Sequence, residues 1–226
     1  HVRSFIDYEE DIHQFMKGVV LPDCPMPYYA LAHSMSAPIL YNAATKRGCW
    51  FNRLITTAPM VELARLPFPP EVCGGLAKGL SLLGLGKQAV PGDPFVWPSD
   101  VFEGNPLTSD RERFYRNVEV LDSAPGRAAG PPTVGWLSAA FDAMGRLDSE
   151  KYAPKIRVPS LLVVAGDDRL VSNKAIEALS SRLRAGTQIV LRGARHEILQ
   201  ERDAIREQFW AAFDAFAPGV AMRKTA

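Results

Sequence analysis

The sequence has few of the residues that mark metalloproteins and disulfide-rich proteins. Its 226 residues include three cysteines and four histidines, and neither type is clustered at the spacing of a metal site. The cysteines, Cys24, Cys49 and Cys73, are odd in number, so we expect reduced, partly buried thiols. We therefore expect no metal ion, no other cofactor and no disulfide scaffold.

The sequence also has no excess of charge of one sign and no long apolar run. The 26 basic and 25 acidic side chains leave a formal net charge of +1, and no basic block indicates a nucleic-acid partner. No apolar run reaches the roughly 18 residues that a transmembrane helix needs. The length suits one large domain, for which we expect a cytoplasmic location. No pattern indicates an oligomeric state.

The most informative stretch is a serine between small residues. An apolar run over Tyr28–Leu31 leads into Ala32–Ser36, and a segment of helical composition follows at 39–44. A strand, a sharp turn carrying a serine, and a helix form a nucleophile elbow, in which small flanking residues let the strand and the helix pass closely. The pattern predicts Ser34 as the nucleophile and the Met35 N–H as an oxyanion donor. An ordinary strand-to-helix connection would also fit this stretch alone.

Candidates for an acid and a histidine follow Ser34 along the chain. The buried apolar strand predicted at 158–166 ends at Asp167 and Asp168, and His196 follows a shorter strand. Because the carboxyl ends of parallel strands meet at one edge of a sheet, we expect these groups to lie together. The order Ser, Asp, His is that of α/β-hydrolases. A Gly-Asp-Asp turn or a loop histidine is commonplace alone, and the coincidence of all three favours a catalytic triad.

The chain changes character between residues 61 and 150. Prolines interrupt this part repeatedly, and helical composition returns at 77–85 and 110–121. A long irregular insertion between two sheet strands is usually functional, so we expect a helical lid over Ser34. A plain helical subdomain without a substrate role is the alternative. Bulky apolar side chains indicate transient contact with a membrane surface: Leu66, Phe68, Leu80, Leu82, Leu83, Leu85, Phe95, Trp97 and Phe102.

Four motifs resemble the lysophospholipase and monoacylglycerol lipase group of α/β-hydrolases. The family's Gly-His-Ser-Met-Gly has its counterpart in Ala32–Ser36, and the family's acid precedes an arginine, as in the segment 166–171. The segment 193–199 is similar to the family's Gly-x-x-His-Glu-Leu, and Asn105–Asp110 with Arg113-Phe114 is similar to the bacterial lysophospholipase branch. The resemblance implies Asp168, rather than its neighbour, as the catalytic acid.

The resemblance also implies a fold and a division of the chain. We expect an α/β-hydrolase fold with a mostly parallel sheet and a helical lid. Residues 1–60 would carry the elbow, 61–150 the lid, 151–220 the acid and histidine, and 221–226 a tail. Since the family's sheet has more strands than the four predicted here, we expect the N-terminal strands, and the loop with a second oxyanion donor, to be missing from this chain.

The function implied is that of a serine hydrolase. It would cleave the carboxylic esters of monoacyl lipids, a lysophospholipid or a monoacylglycerol, through an acyl-enzyme on Ser34. The partner is then a small lipid-like ester. Two alternatives stay open: a catalytically silent hydrolase that binds an apolar ligand or partner, and an esterase or acyltransferase for small esters.

Overall fold

Four parallel strands form the sheet of this protein. The structure is a computed structural model, and it describes residues 1–46, 48–90, 101–123 and 130–217. The strands are β1 (Tyr28–His33), β2 (Phe51–Thr57), β3 (Ser160–Ala165) and β4 (Gly186–Leu191). They pair in chain order, and every pair is parallel. The carboxyl ends of all four strands therefore lie at one edge.

The central strands explain the continuous apolar runs seen in the sequence. Every residue of β3 is buried, and so are the last four residues of β2. Parallel strands that are covered on both faces need apolar side chains at every position rather than at alternate positions. The four strands agree with those predicted from the sequence. Additional strands before β1 stay a prediction.

Helices cover the sheet and continue through the segment between β2 and β3. The α-helices of the described ranges are α1 (Phe5–Phe15), α2 (Leu21–Asp23), α3 (Ser36–Ala44), α4 (Pro70–Leu80), α5 (Arg111–Asp122), α6 (Val134–Asp148), α7 (Asn173–Arg182) and α8 (Asp203–Phe216). Helix α3 packs on β1 and β2, and α7 packs on β3 and β4. A π-helical turn, Ser81–Leu85, extends α4.

Helix α6 is an element that the sequence reading did not predict. It spans Val134–Asp148 and packs on α3 and α4. Its side chains Phe141, Met144 and Leu147 belong to the main hydrophobic core. Four small residues let it approach its neighbours closely: Gly135, Ala139, Ala140 and Ala143, all buried. The lid boundaries at 61 and 150 stay a prediction, but α6 is part of the core.

Three further expectations can be compared with the described residues. The cysteines are all free, although Cys24 is exposed and not partly buried as expected. In the described ranges no helix is long and apolar enough to cross a membrane, and no cluster of three or more His, Cys, Asp or Glu side chains is placed to hold a metal ion. Phe95, Trp97 and the tail 221–226 lie outside the described residues.

Candidate active site

The turn after β1 holds Ser34 in a backbone conformation that few side chains adopt. Its φ is +50°, in the left-handed region that disfavours residues with a Cβ. Two hydrogen bonds keep the turn in place. The Ser34 N–H donates to the Thr57 carbonyl at 3.0 Å, and the Ser34 carbonyl accepts from the Met60 N–H at 3.0 Å. Such strain persists where the surrounding structure determines the backbone, and it is frequent at functional sites.

The residues that flank the turn show how it forms without glycine. Ala32 is buried at 3% exposure, so a methyl group fills the space between β1 and its neighbours. Ser36 is exposed, so its side chain is not enclosed by neighbours. Met35 occupies the N-cap position of α3. The first N–H groups of a helix have no acceptor within it, so the Met35 N–H is available to an oxyanion.

Three of the predicted site residues form one hydrogen-bonded line. His196 Nε2 lies 2.9 Å from Ser34 Oγ, and His196 Nδ1 lies 2.8 Å from Asp168 Oδ2. The Asp168 side chain is fully buried and that of His196 is 6% exposed. Asp167 is exposed instead. A hydroxyl, an imidazole and a carboxylate in this order can transfer a proton away from the hydroxyl.

The turn that carries Asp168 is built to aim its carboxylate. The Oδ1 atom accepts hydrogen bonds from the N–H groups of Leu170 at 2.8 Å and Val171 at 3.1 Å, which leaves Oδ2 for the imidazole. Gly166 lies where β3 approaches the end of β4. A Cβ at Gly166 would lie 2.9 Å from the Leu191 carbonyl oxygen. Only glycine therefore lets the acid loop and the histidine loop lie so close.

The loop that carries His196 is anchored by a segment far away in the sequence, Asn105–Asp110. The N–H groups of His196 and Glu197 donate to the carbonyls of Pro106 at 3.3 Å and Leu107 at 2.8 Å. These two bonds hold the backbone of the histidine loop at His196 and at the residue after it. The motif in this segment was visible in the sequence, but its anchoring role was not.

A buried glutamate completes this anchor. Glu201 is 0% exposed, and its carboxylate accepts from the Ser109 N–H at 3.0 Å, the Ser109 hydroxyl at 2.5 Å and the Arg195 N–H at 2.8 Å. Arg113 bonds the Glu201 carbonyl at 2.7 Å and the Asp110 carboxylate at 2.7 Å. Sequence reasoning missed Glu201, because no local pattern marks it.

A cavity of about 650 Å³ opens beside Ser34 and His196. This volume lies within the range of about 300–1,000 Å³ that is typical of small-molecule sites. Its walls are mainly apolar and come from α1, α6 and the loops after β2 and β3. They include Tyr8, Met60, Leu63, Trp136, Ala140 and Val171. The arrangement can hold an apolar chain with a carbonyl group next to the Ser34 hydroxyl.

Comparison with known proteins identifies the family of this chain. The model of the family described as serine aminopeptidase S33 (Hydrolase_4) matches residues 1–203. The chain belongs to this family. Among solved structures, the chain is similar to the monoacylglycerol lipase of Paleococcus ferrophilus, with a TM-score of 0.71 at 20% identity over 94% of this chain and 75% of that one. The protein therefore has the α/β-hydrolase fold expected from the sequence.

Curated relatives are similar along most of this chain. The probable lysophospholipase L2 of Haemophilus influenzae is 26% identical over 217 residues, which cover 96% of this chain and 67% of the relative. Lysophospholipase L2 of Escherichia coli K12 is 29% identical over 215 residues, which cover 91% and 62%. The chain thus spans about two thirds of the length of these relatives. These matches confirm the resemblance to the lysophospholipase and monoacylglycerol lipase group.

Proposed function

We propose that this protein is a serine hydrolase that cleaves the carboxylic ester of a monoacyl lipid through an acyl-enzyme on Ser34. The observation that carries the proposal is the line from Ser34 through His196 to Asp168 at the mouth of an apolar cavity. The names of the similar proteins, lysophospholipase L2 and monoacylglycerol lipase, support a lysophospholipid or a monoacylglycerol as the substrate.

The first half of the reaction forms the acyl-enzyme. As Ser34 Oγ attacks the ester carbonyl carbon, His196 Nε2 accepts the hydroxyl proton. The carbonyl oxygen becomes an oxyanion and accepts a hydrogen bond from the Met35 N–H. When the tetrahedral intermediate collapses, the bond to the alkoxy oxygen breaks, and that oxygen takes the proton from His196. The glycerol or head-group alcohol then leaves.

The second half releases the fatty acid. A water molecule takes the place of the departed alcohol and gives a proton to His196 Nε2 while its oxygen attacks the acyl carbon. The collapse of this second intermediate breaks the bond to Ser34 Oγ, which takes the proton back. Throughout, Asp168 orients the imidazole through Nδ1 and stabilises its positive charge. No cofactor is needed in either half.

The segment between β2 and β3 would supply the lid and the contact with a lipid surface. Seven apolar side chains on and around α4 and its π-helical turn are exposed, and we call them the apolar ridge: Phe68, Val72, Leu76, Leu80, Leu82, Leu83 and Leu85. Leu82 and Leu83 are 82% and 78% exposed. Val72, Leu76 and Leu80 are four residues apart on α4 and so share one face, and an exposed apolar face is typical of a region that contacts a membrane or a partner. It supports transient contact with membranes that contain the substrate.

The proposal is tested by labelling and by turnover. We expect a fluorophosphonate to add once to the protein, with the adduct on Ser34 in peptide mass spectrometry. The variant Ser34→Ala should lose both labelling and the release of fatty acid from lysophosphatidylcholine or monoolein. Ser36→Ala is the matched control, because it removes a neighbouring exposed hydroxyl and should keep both. Full activity in Ser34→Ala, or no labelling of the wild-type protein, would contradict the proposal.

A further inference from the structure

A second pair of an imidazole and a carboxylate lies beside His196. It consists of His33, which precedes Ser34, and Glu197, which follows His196. The Nε2 atom of His33 lies 3.4 Å from Glu197 Oε1. The rings of His33 and His196 meet edge to face, with 4.8 Å between their centroids and 61° between their planes. His33 therefore contacts the His196 ring directly, and Glu197 contacts His33.

The partners of His33 decide where its proton lies. Its Nδ1 atom is 3.0 Å from the Thr57 hydroxyl oxygen. Its Nε2 atom is buried and makes no hydrogen bond within the described residues. The polar group that it faces is the Glu197 carboxylate, at 3.4 Å. A carboxylate can only accept, so Nε2 carries its hydrogen toward Glu197 and Nδ1 accepts from Thr57. The hydroxyl of the last residue in β2 thus holds the ring against the histidine loop.

Glu197 presents a negative charge to both imidazoles. Burial raises the pKa of its carboxyl, but the neighbouring His33 imidazole and the charge of His196 hold that pKa below its ordinary value. The carboxylate is therefore ionised at neutral pH. The side chains of His33 and Glu197 are 31% and 36% exposed, so water screens part of the interaction.

We propose that Glu197 and His33 are positioning residues that orient the His196 ring and stabilise the positive charge it gains on accepting the Ser34 proton. This inference rests on the proposed function. Asp168 from the loop after β3 and His33 from the end of β1 contact His196 directly, and Glu197, the next residue of the histidine loop, contacts His33. Glu197 thus adds a second negative charge to that of Asp168. Among the described residues that line the cavity, neither His33 nor Glu197 is found.

This role has consequences that differ from those of a purely structural one. Because the Glu197 charge stabilises the imidazolium that forms during the reaction, its loss should show in how the rate depends on pH. The acid limb of the profile of kcat/KM against pH then moves to lower pH. At the same time the transition state, in which the ring is charged, is less stabilised, and kcat falls. If the variant only loosened the histidine loop, kcat would fall but the acid limb of the pH profile would not move.

The experiment measures kcat, KM and the pH profile of Glu197→Gln with p-nitrophenyl butyrate. We expect kcat at the optimum to fall about fivefold, the scale of a partly exposed ion pair. KM should change by less than about twofold, because the cavity is untouched. The acid limb should move to lower pH. Glu197→Asp keeps the charge and should keep the limb near that of the wild type, and Glu207→Gln, an exposed glutamate on α8, should change nothing.

A second variant tests the pair if Glu197→Gln folds poorly in a thermal melt. His33→Gln should lower kcat by a similar factor with KM unchanged, and the double variant should fall no further than either single variant, because coupled residues are not additive. An unmoved acid limb in Glu197→Gln, or a double variant with additive losses, would overturn the inference while ester hydrolysis by the wild type stands. A wild-type chain that hydrolyses no ester would overturn the proposed function, and the inference with it.

Discussion

The segment between β2 and β3 contains two stretches whose side chains are used in different ways. In Asn105–Asp110 the polar side chains are buried and hydrogen-bonded, with Asn105 and Thr108 at 0% and 1% exposure. In the apolar ridge around α4, leucines face the solvent. Satisfied buried polar groups hold one geometry, whereas exposed apolar area lowers its free energy by contacting something else. The first stretch is therefore suited to hold His196, and the ridge carries the proposed contact with a lipid surface.

The strongest test of this comparison removes the charge of Glu201. In Glu201→Gln an amide NH₂ group replaces one carboxylate oxygen. In the place of Oε1 it faces the N–H donors of Ser109 and Arg195, and in the place of Oε2 it faces the N–H of Arg202. We expect a loss of about 3 kcal/mol in the free energy of unfolding and a fall in kcat, because the histidine loop loses its anchor. Urea denaturation and ester turnover measure the two effects.

The control for Glu201→Gln is Glu207→Gln, since Glu207 is exposed on α8. It should change the free energy of unfolding by less than about 0.5 kcal/mol. If Glu201→Gln is as stable and as active as this control, the anchoring role of Asn105–Asp110 is wrong.

A smaller effect on the free energy of unfolding is expected from Thr108→Val. This variant keeps the shape of the side chain and removes the hydroxyl that donates to the Gln200 carbonyl at 2.7 Å. The hydroxyl also accepts from the Asp110 N–H at 3.0 Å. We expect a loss of about 1–2 kcal/mol in the free energy of unfolding, because the Gln200 carbonyl and the Asp110 N–H both lose a hydrogen-bond partner. Thermal unfolding and urea denaturation would check it, and an unchanged stability would show that the anchor does not depend on this bond.

The smallest effect on stability is expected at the apolar ridge. The double variant Leu82→Ser and Leu83→Ser removes two exposed side chains, so the free energy of unfolding should change by less than about 0.5 kcal/mol per site. Binding to phosphatidylcholine vesicles that contain lysophosphatidylcholine should weaken several-fold, while hydrolysis of dissolved p-nitrophenyl butyrate should stay unchanged. A variant that unfolds easily would indicate that the ridge is covered, and unchanged vesicle binding would argue against membrane contact there.

The sequence predicted some elements well because their signals are local. The continuous apolar runs of β2 and β3 mark strands covered on both faces, and the small residues around Ser34 mark a tight turn. Helix α6 was missed although its apolar side chains recur at helical spacing, with Leu137, Phe141, Met144 and Leu147 three or four residues apart. Its small residues let it approach its neighbours closely. Local periodicity therefore marks the helix, and only the packing shows that it belongs to the core.

The sequence by itself determined the four parallel strands, the elbow around Ser34, and the order in which an acid and a histidine follow it. These properties depend on a few neighbouring residues, so local composition specifies them. Only the tertiary structure decided that Glu201 anchors the histidine loop and that Glu197 meets His33. Those contacts join parts of the chain that are far apart in sequence. They depend on how the loops at the carboxyl edge of the sheet pack together, which no short stretch encodes alone.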